Sequence, residues 1–372
     1  MELIRTFLLA LGPIALVFLL GGKGDAANLN ATSSSCAALD SNLCDLSVGQ
    51  TTRTVTVGNL QRRYILYVPP NHNNKVIMAF HGGGGDPEQF IGQTNLEPLA
   101  DLKKFILIYP YGTPSLPRQP DKLLTWNAGF CCGNAVDSNI DELSFVKAIQ
   151  SDISTFFSRT SPSFYGTGFS NGALLVENLA YQDPSLFKAI VSVAGTYKGT
   201  ASYRPNAPLP PDPVLNSSNK INVLLIHGVK DPNIPYFGGE QQESLSSATV
   251  PIHVPTFEDG FDFWQRANQC QNLIAIGPIT QEITRKSQTC NGKIVTAIVG
   301  KSMGHVWPGD PNQLEGVISP PYTDFSADDQ ILSFFDQNPG SPEPPQSIPE
   351  KSPLPALLIL LSIFLFSQKH SK

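Results

Sequence analysis

Seven short runs of β-branched and aromatic residues punctuate the middle of the chain: Ile65 to Val68, Lys75 to Phe80, Phe105 to Tyr109, Phe164 to Thr167, Ala189 to Val193, Ile221 to His227 and Ile294 to Val299. Several lack the apolar/polar alternation of a half-exposed strand, which predicts burial on both faces, as in a parallel sheet. Between them Leu143, Val146, Ile149, Ile153 and Phe156 recur every three or four residues, the spacing of one helical face packed on such a sheet. Further helices are expected over Ala173 to Tyr181 and Phe261 to Asn268. Strands interleaved with helices give an α/β class, a mostly parallel central sheet with helices on both faces.

Two other apolar runs stand at the ends. Phe7 to Leu20 follows Arg5 and precedes small residues, the pattern of a secretory signal cleaved after Ala26, with an uncleaved anchor as the alternative. Leu354 to Phe366 lies behind a Pro-rich stretch, carries Lys369 and Lys372 beyond it, and is shorter than the ~20 residues of a bilayer span. It reads as an anchor or a sorting signal, retained or removed, with a frayed C-terminal segment as the alternative. The expected organisation is a signal peptide 1–26, a polar leader 27–61, an α/β domain 62–337, a linker 338–353 and a tail 354–372. With 41% hydrophobic residues, 30 Gly and 32 Pro in 372, a coiled coil and a collagen-like fibre are excluded. The 25 Lys and Arg against 31 Asp and Glu leave a net charge of −6, so no basic face is offered to nucleic acid.

In α/β sheets functional groups gather where strands end. After the strand over Phe164 to Thr167 comes Gly168-Phe169-Ser170-Asn171-Gly172, a G-x-S-x-G turn that presents a serine at a sharp strand-to-helix junction. A serine hydroxyl needs a histidine to take its proton and a carboxylate to orient that histidine. His305 sits in a turn-rich loop after the last strand, whereas His81 and His227 precede glycines at strand ends and are expected to pack or bond to backbone. Asp231 follows its strand closely, either as the triad carboxylate or as a turn-former before Pro232. Ser170, Asp231, His305 is the α/β-hydrolase order. Gly83, in the run His81 to Gly85, and Asn171 are the expected amide donors to an oxyanion.

These motifs resemble the extracellular feruloyl esterase and polyhydroxybutyrate depolymerase family of the α/β-hydrolase superfamily, over roughly Arg62 to Phe335. The resemblance rests on Tyr64 with Val68-Pro69, the His81-Gly82 loop, Trp126-Asn127 with Gly129 and Cys131-Cys132, the Ser170 turn, His227-Gly228 with Asp231 and Pro235-Tyr236, and Gly304-His305 with Trp307-Pro308-Gly309. It implies Ser170 as nucleophile, His305 as base and then acid, and Asp231 as orienting residue. No cofactor is expected, and no metal, since no further Cys or His stands at ligand spacing from Cys131 and Cys132. Trp126 and Trp307 are expected either to line the acyl or alcohol pocket or to pack in the core. The substrate follows as an ester borne by a small molecule, a polysaccharide or a polyester. A feruloyl ester is ranked ahead of an acetyl ester or polyhydroxybutyrate, with a serine peptidase and a catalytically silent wall-binding protein as rivals. The protein is expected to act outside the cell or at its surface, as a monomer.

Six Cys in an exported chain are expected to be bridged. Cys270 with Cys290 would brace the loop carrying His305; Cys131 and Cys132 form a vicinal bridge or pair elsewhere; Cys36 and Cys44 lie in the leader. Asn30 and Asn216 open glycan acceptor triplets.

Overall fold

A computed structural model describes residues 46–115, 121–157, 161–201, 220–240, 252–270, 275–310 and 319–338. The expected signal peptide, Cys36, Cys44, Asn30, Asn216, the linker beyond Asn338 and the apolar tail lie outside these residues. The chain begins with a hairpin, β1 (Gly49–Val57) and β2 (Leu60–Val68), then β3 (Lys75–Phe80), α1 (Pro87–Gln93), α2 (Leu96–Lys103) and β4 (Ile106–Pro110). A small sheet of β5 (Thr113–Pro114) and β6 (Leu124–Thr125) leads through α3 (Gly133–Asp137) and α4 (Glu142–Ser154) to β7 (Ser163–Phe169), α5 (Asn171–Gln182) and β8 (Ala189–Val193). Next come β9 (Thr200–Ala201), β10 (Asn222–Gly228), β11 (Gly239–Glu240), β12 (Ile252–Val254) and α6 (Phe257–Ala267). The fold closes with β13 (Ala275–Pro278), β14 (Ile283–Cys290), β15 (Lys293–Gly300) and α7 (Ala327–Gln337).

The main sheet has ten strands in the order β1-β2-β4-β3-β7-β8-β10-β15-β14-β13. From β4 to β15 every pairing is parallel, and the antiparallel pairings lie at the two flanks. The central strands are apolar without alternation because both faces are covered. Along β3, Val76, Met78 and Phe80 enter one apolar cluster and Ile77 and Ala79 the other; along β10, Val223 and Leu225 separate from Leu224 and Ile226 in the same way. Helices α4, α5 and α6 cover the first face and α1, α2 and α7 the second. In α4, Phe145, Val146, Ile149 and Ile153 are fully buried, each worth about 1.5–3 kcal/mol. The Asp141 carboxylate starts that helix by accepting the Ser144 amide at 2.9 Å.

Two expectations need correction. The sheet begins before residue 62: β1, within the expected polar leader, pairs with β2 from Gly49↔Val68 to Val57↔Leu60. Only Gly49, Arg53, Val55 and Val57 are partly shielded by the body of the fold, so an edge strand of Thr and Gln read as leader. Arg53 fastens it to α4 through Asp152, at 2.8 and 2.9 Å. Phe156, expected on the α4 face, lies past the end of the helix and stacks beneath the Arg53 guanidinium at 4.8 Å.

From β3 the chain moves outward to β4, and from β7 it moves the opposite way to β8. The carboxyl ends of β3 and β7 therefore flank a topological switch point, where open α/β sheets leave a crevice. Phe80 and Gly168 are register partners there, so His81 and Ser170 emerge from neighbouring strands close to the same level.

Candidate active site

Ser170 sits between β7 and α5 with φ 53° and ψ −122°, a conformation that costs an L-residue roughly 1–3 kcal/mol. The flanking glycines make it attainable. A Cβ on Gly168 would lie 2.3 Å from the Gly172 carbonyl oxygen, and one on Gly172 would lie 2.2 Å from that of Phe80 and 2.5 Å from that of His81. The turn is thus pressed backbone to backbone against the end of β3, and the half-buried Ser170 hydroxyl stands at its tip.

His305 and Asp231 reach it from two loops that are zipped together. The amides of Val229 and Lys230 donate to the carbonyls of Gly300 and Met303, both at 2.9 Å. Gly228 makes this possible, since a Cβ there would lie 2.2 Å from the Met303 oxygen and 2.6 Å from the Gly304 oxygen. The Ser319 hydroxyl accepts the His305 amide at 3.0 Å. His305 Nδ1 lies 2.8 Å from Asp231 Oδ2 and its Nε2 lies 2.8 Å from Ser170 Oγ. Because a carboxylate only accepts, Nδ1 carries the proton and Nε2 is free to accept that of the serine.

The other oxygen of Asp231 accepts the amides of Asn233 and Ile234, both at 2.8 Å. Burial pushes the Asp231 carboxyl up, but its contacts with His305, His227 and the Ile234 amide hold it below its ordinary value. It is therefore a turn-former and the partner of His305 at once. His227 sits behind it with Nε2 2.8 Å from the Ile234 carbonyl oxygen and 3.6 Å from Asp231 Oδ2. Burial lowers the His227 pKa, so the ring supports the turn as a neutral donor.

Gly83 lies against the start of α5, where a Cβ would come 3.2 Å from that of Asn171. The Asn171 amide is the first of its helix and has no acceptor within it. The tryptophans are core residues. Trp126 is fully buried and donates its indole N–H to the His81 carbonyl at 2.9 Å. Trp307 is 2% exposed, donates to Asp328 at 3.1 Å and meets Phe90 and Phe169 edge-on. Neither ring face is open to an acyl group, which corrects the pocket-lining expectation: a single sequence does not separate a buried Trp from a pocket Trp.

Cys270 and Cys290 stand with Cα atoms 4.3 Å apart and sulfurs at bonding distance, as do the sulfurs of Cys131 and Cys132. The former pair joins the end of α6 to the end of β14, at the start of β15 and so at the opposite end of that strand from the His305 loop. Its expected bracing of that loop is not direct. Among the described residues no cluster of three or more His, Cys, Asp or Glu could hold a metal ion.

Two supporting contacts were not legible beforehand, and a third was. The Asn171 carboxamide accepts the Trp126 amide at 2.8 Å and donates to the Trp126 carbonyl at 3.2 Å. Arg62 donates to Glu142 at 3.0 Å, and Glu142 accepts the Asn127 amide at 3.3 Å, which anchors the same loop from behind. The His81 ring binds backbone at both nitrogens. The last agrees with the expectation drawn from its place before a glycine at a strand end.

No protein-family model matches the chain. It is 25% identical over 281 residues to the protein described as "Putative esterase NocK" of Nocardia uniformis subsp. tsuyamanensis, covering 70% of this chain and 74% of that one. It is 31% identical over 144 residues to Feruloyl esterase B of Thermothelomyces thermophilus, covering 37% of this chain and 45% of that one. Acetylxylan esterase A of Emericella nidulans is 27% identical over 175 residues, with 44% and 53% covered. The chain thus spans about half the length of these two fungal relatives. Among solved structures, the acetyl xylan esterase from Aspergillus awamori superposes with a TM-score of 0.51 at 13% identity, covering 76% of this chain and 99% of that one, a likeness of fold. The chain has the α/β-hydrolase fold and is similar, over part of its length, to feruloyl and acetylxylan esterases.

Proposed function

We propose that the protein is a serine carboxylic ester hydrolase that acts through an acyl-enzyme on ester groups carried by plant polysaccharides. The observation that carries this reading is the unbroken line Asp231, His305, Ser170, with both links at 2.8 Å and the serine on a strained elbow. His305 Nε2 takes the Ser170 proton as the oxygen attacks the ester carbonyl. The resulting tetrahedral oxyanion is met by the Gly83 and Asn171 amides. His305 then gives the proton to the departing alcohol, and water, activated by the same ring, releases the acid. Removing one oxyanion donor from such a site costs about 10²–10³ in rate.

The substrate class is supported by the fungal esterase relatives; neither tryptophan argues for an aromatic acyl group. Feruloyl and acetyl esters stand ahead of polyhydroxybutyrate on this ground. A side-by-side assay on methyl ferulate, acetylated xylan and amorphous polyhydroxybutyrate tests the reading. Release of ferulate or acetate is expected. Clearing of the polyester alone would replace the substrate class, and inertness to all three together with p-nitrophenyl acetate would favour a silent wall-binding protein. Action outside the cell is supported by the signal-like run of Phe7 to Leu20. Retention of the full-length protein inside expressing cells would contradict it.

A further inference from the structure

The buried His81 ring takes no part in the triad, yet both of its nitrogens are committed. The Gly112 amide donates to Nε2 at 3.2 Å, so the ring proton resides on Nδ1, which donates to the Gly82 carbonyl at 2.8 Å. Burial lowers the ring's pKa to about 4, and this neutral tautomer therefore persists over the ordinary range. The Gly82 carbonyl and the Gly83 N–H belong to one planar trans peptide and point in opposite directions. Whatever holds that carbonyl also aims that amide. The Gly85 amide, at 3.1 Å from the same oxygen, closes the turn, but a loop of four glycines has no side chains of its own to resist rotation.

Trp126 in turn holds His81. Its indole N–H grips the His81 carbonyl at 2.9 Å, and its ring lies 4.8 Å from the imidazole. The Trp126 backbone is tied in both directions to the Asn171 side chain, beside the nucleophile. A continuous buried path runs from the first residue of α5 through Trp126 and His81 to the Gly82–Gly83 peptide.

We infer that His81 is a positioning residue for the oxyanion donor: its Nδ1–H clamps the Gly82–Gly83 peptide so that the Gly83 amide faces the substrate's carbonyl oxygen, with Trp126 holding His81 in place. The inference rests on the reading of Ser170 as nucleophile and Gly83 as donor. Two polar substitutions of similar burial separate the roles of the ring nitrogens. His81→Asn carries its N–H near the place of Nδ1, whereas His81→Gln carries it one methylene further, toward Nε2.

Rates on p-nitrophenyl acetate are taken per site titrated with a fluorophosphonate, so that misfolded protein does not count. His81→Asn is expected to keep kcat within about tenfold of wild type, and His81→Gln to lose about 10²–10³-fold with KM unchanged. Affinity for a boronic acid, which forms a tetrahedral adduct on the serine, should fall in step with kcat. Equal kcat in the two variants, whether both high or both low, overturns the inference. If neither folds, Trp126→Phe decides, since it removes the indole N–H and keeps a ring: lower kcat at unchanged KM supports the clamp, and unchanged kcat overturns it. Wild-type protein inert to ester and probe removes the parent reading as well, whereas active wild type with equal variants removes this inference alone.

Discussion

Replacing Glu177 with Gln should change how stability depends on pH. Glu177 is buried on the helix that follows Ser170, accepts the Ser192 hydroxyl at 2.6 Å and the Trp264 indole N–H at 2.8 Å, and has no cationic partner among those contacts. Burial pushes its carboxyl from 4.5 up to about 7, against the pull of the two donors. At about 1.4 kcal/mol per tenfold in proton affinity, that displacement corresponds to about 3 kcal/mol. The folded pKa lies above the unfolded one, so the folded state binds more protons. The contribution is fully present below about pH 4.5 and is lost as pH rises through about 7. Gln is neutral throughout, can accept from Trp264 and can donate to a turned Ser192 hydroxyl. Urea unfolding of wild type and Glu177→Gln between pH 5 and pH 8, with disulfides intact, should therefore show near-equal stability at the acid end. The variant should gain about 2–3 kcal/mol at the alkaline end. Parallel pH profiles for the two proteins would refute the reasoning.

Other consequences follow from single contacts. Asp231→Asn should fold and lower kcat about 10⁴-fold through loss of the His305 tautomer, read by esterase kinetics at constant near-UV dichroism; a loss under tenfold contradicts the carboxylate's role. Gly172→Ala drives a methyl group to within 2.2 Å of the Phe80 carbonyl, where only backbone movement gives relief, so soluble yield and activity should both collapse; wild-type behaviour would show that the elbow is loose. Changing Cys270 and Cys290 together to Ser opens a closure between residues 20 apart and should cost about 2–4 kcal/mol in urea unfolding with kcat per folded molecule unchanged, because the pair lies at the opposite end of β15 from His305.

What could be read beforehand was what repeats locally. Val76 to Phe80 and Val223 to Ile226 are apolar at every position because both faces of the sheet are covered, and that pattern is visible in one dimension. The candidate triad was legible for a similar reason: its members stand one, three and five residues beyond strand ends, in turns whose glycines are required by backbone contact, as at Gly172 and Gly228. β1 was not, since an edge strand buries little and its polar residues resemble a leader. Trp126 stayed open between pocket and core because its environment is supplied by Phe80, His81 and Asn171, all at least 45 residues away along the chain. Such contacts depend on strand order, which no local pattern encodes. The opposite placement of Cys290 and His305 was, by contrast, legible in the strand that separates them.

The central claim is that the Ser170 hydroxyl, held 2.8 Å from His305 Nε2, is a nucleophile that becomes acylated. The most direct test is intact-protein mass spectrometry after treatment with a fluorophosphonate, with peptide mapping of the adduct, on wild type, Ser170→Ala and His305→Ala. The account predicts one adduct per chain on Ser170 in wild type, none in Ser170→Ala, and strongly slowed labelling in His305→Ala, with hydrolysis of p-nitrophenyl acetate lost in both variants by up to about 10⁶ in kcat. An adduct on another residue, or undiminished turnover in Ser170→Ala, would contradict it.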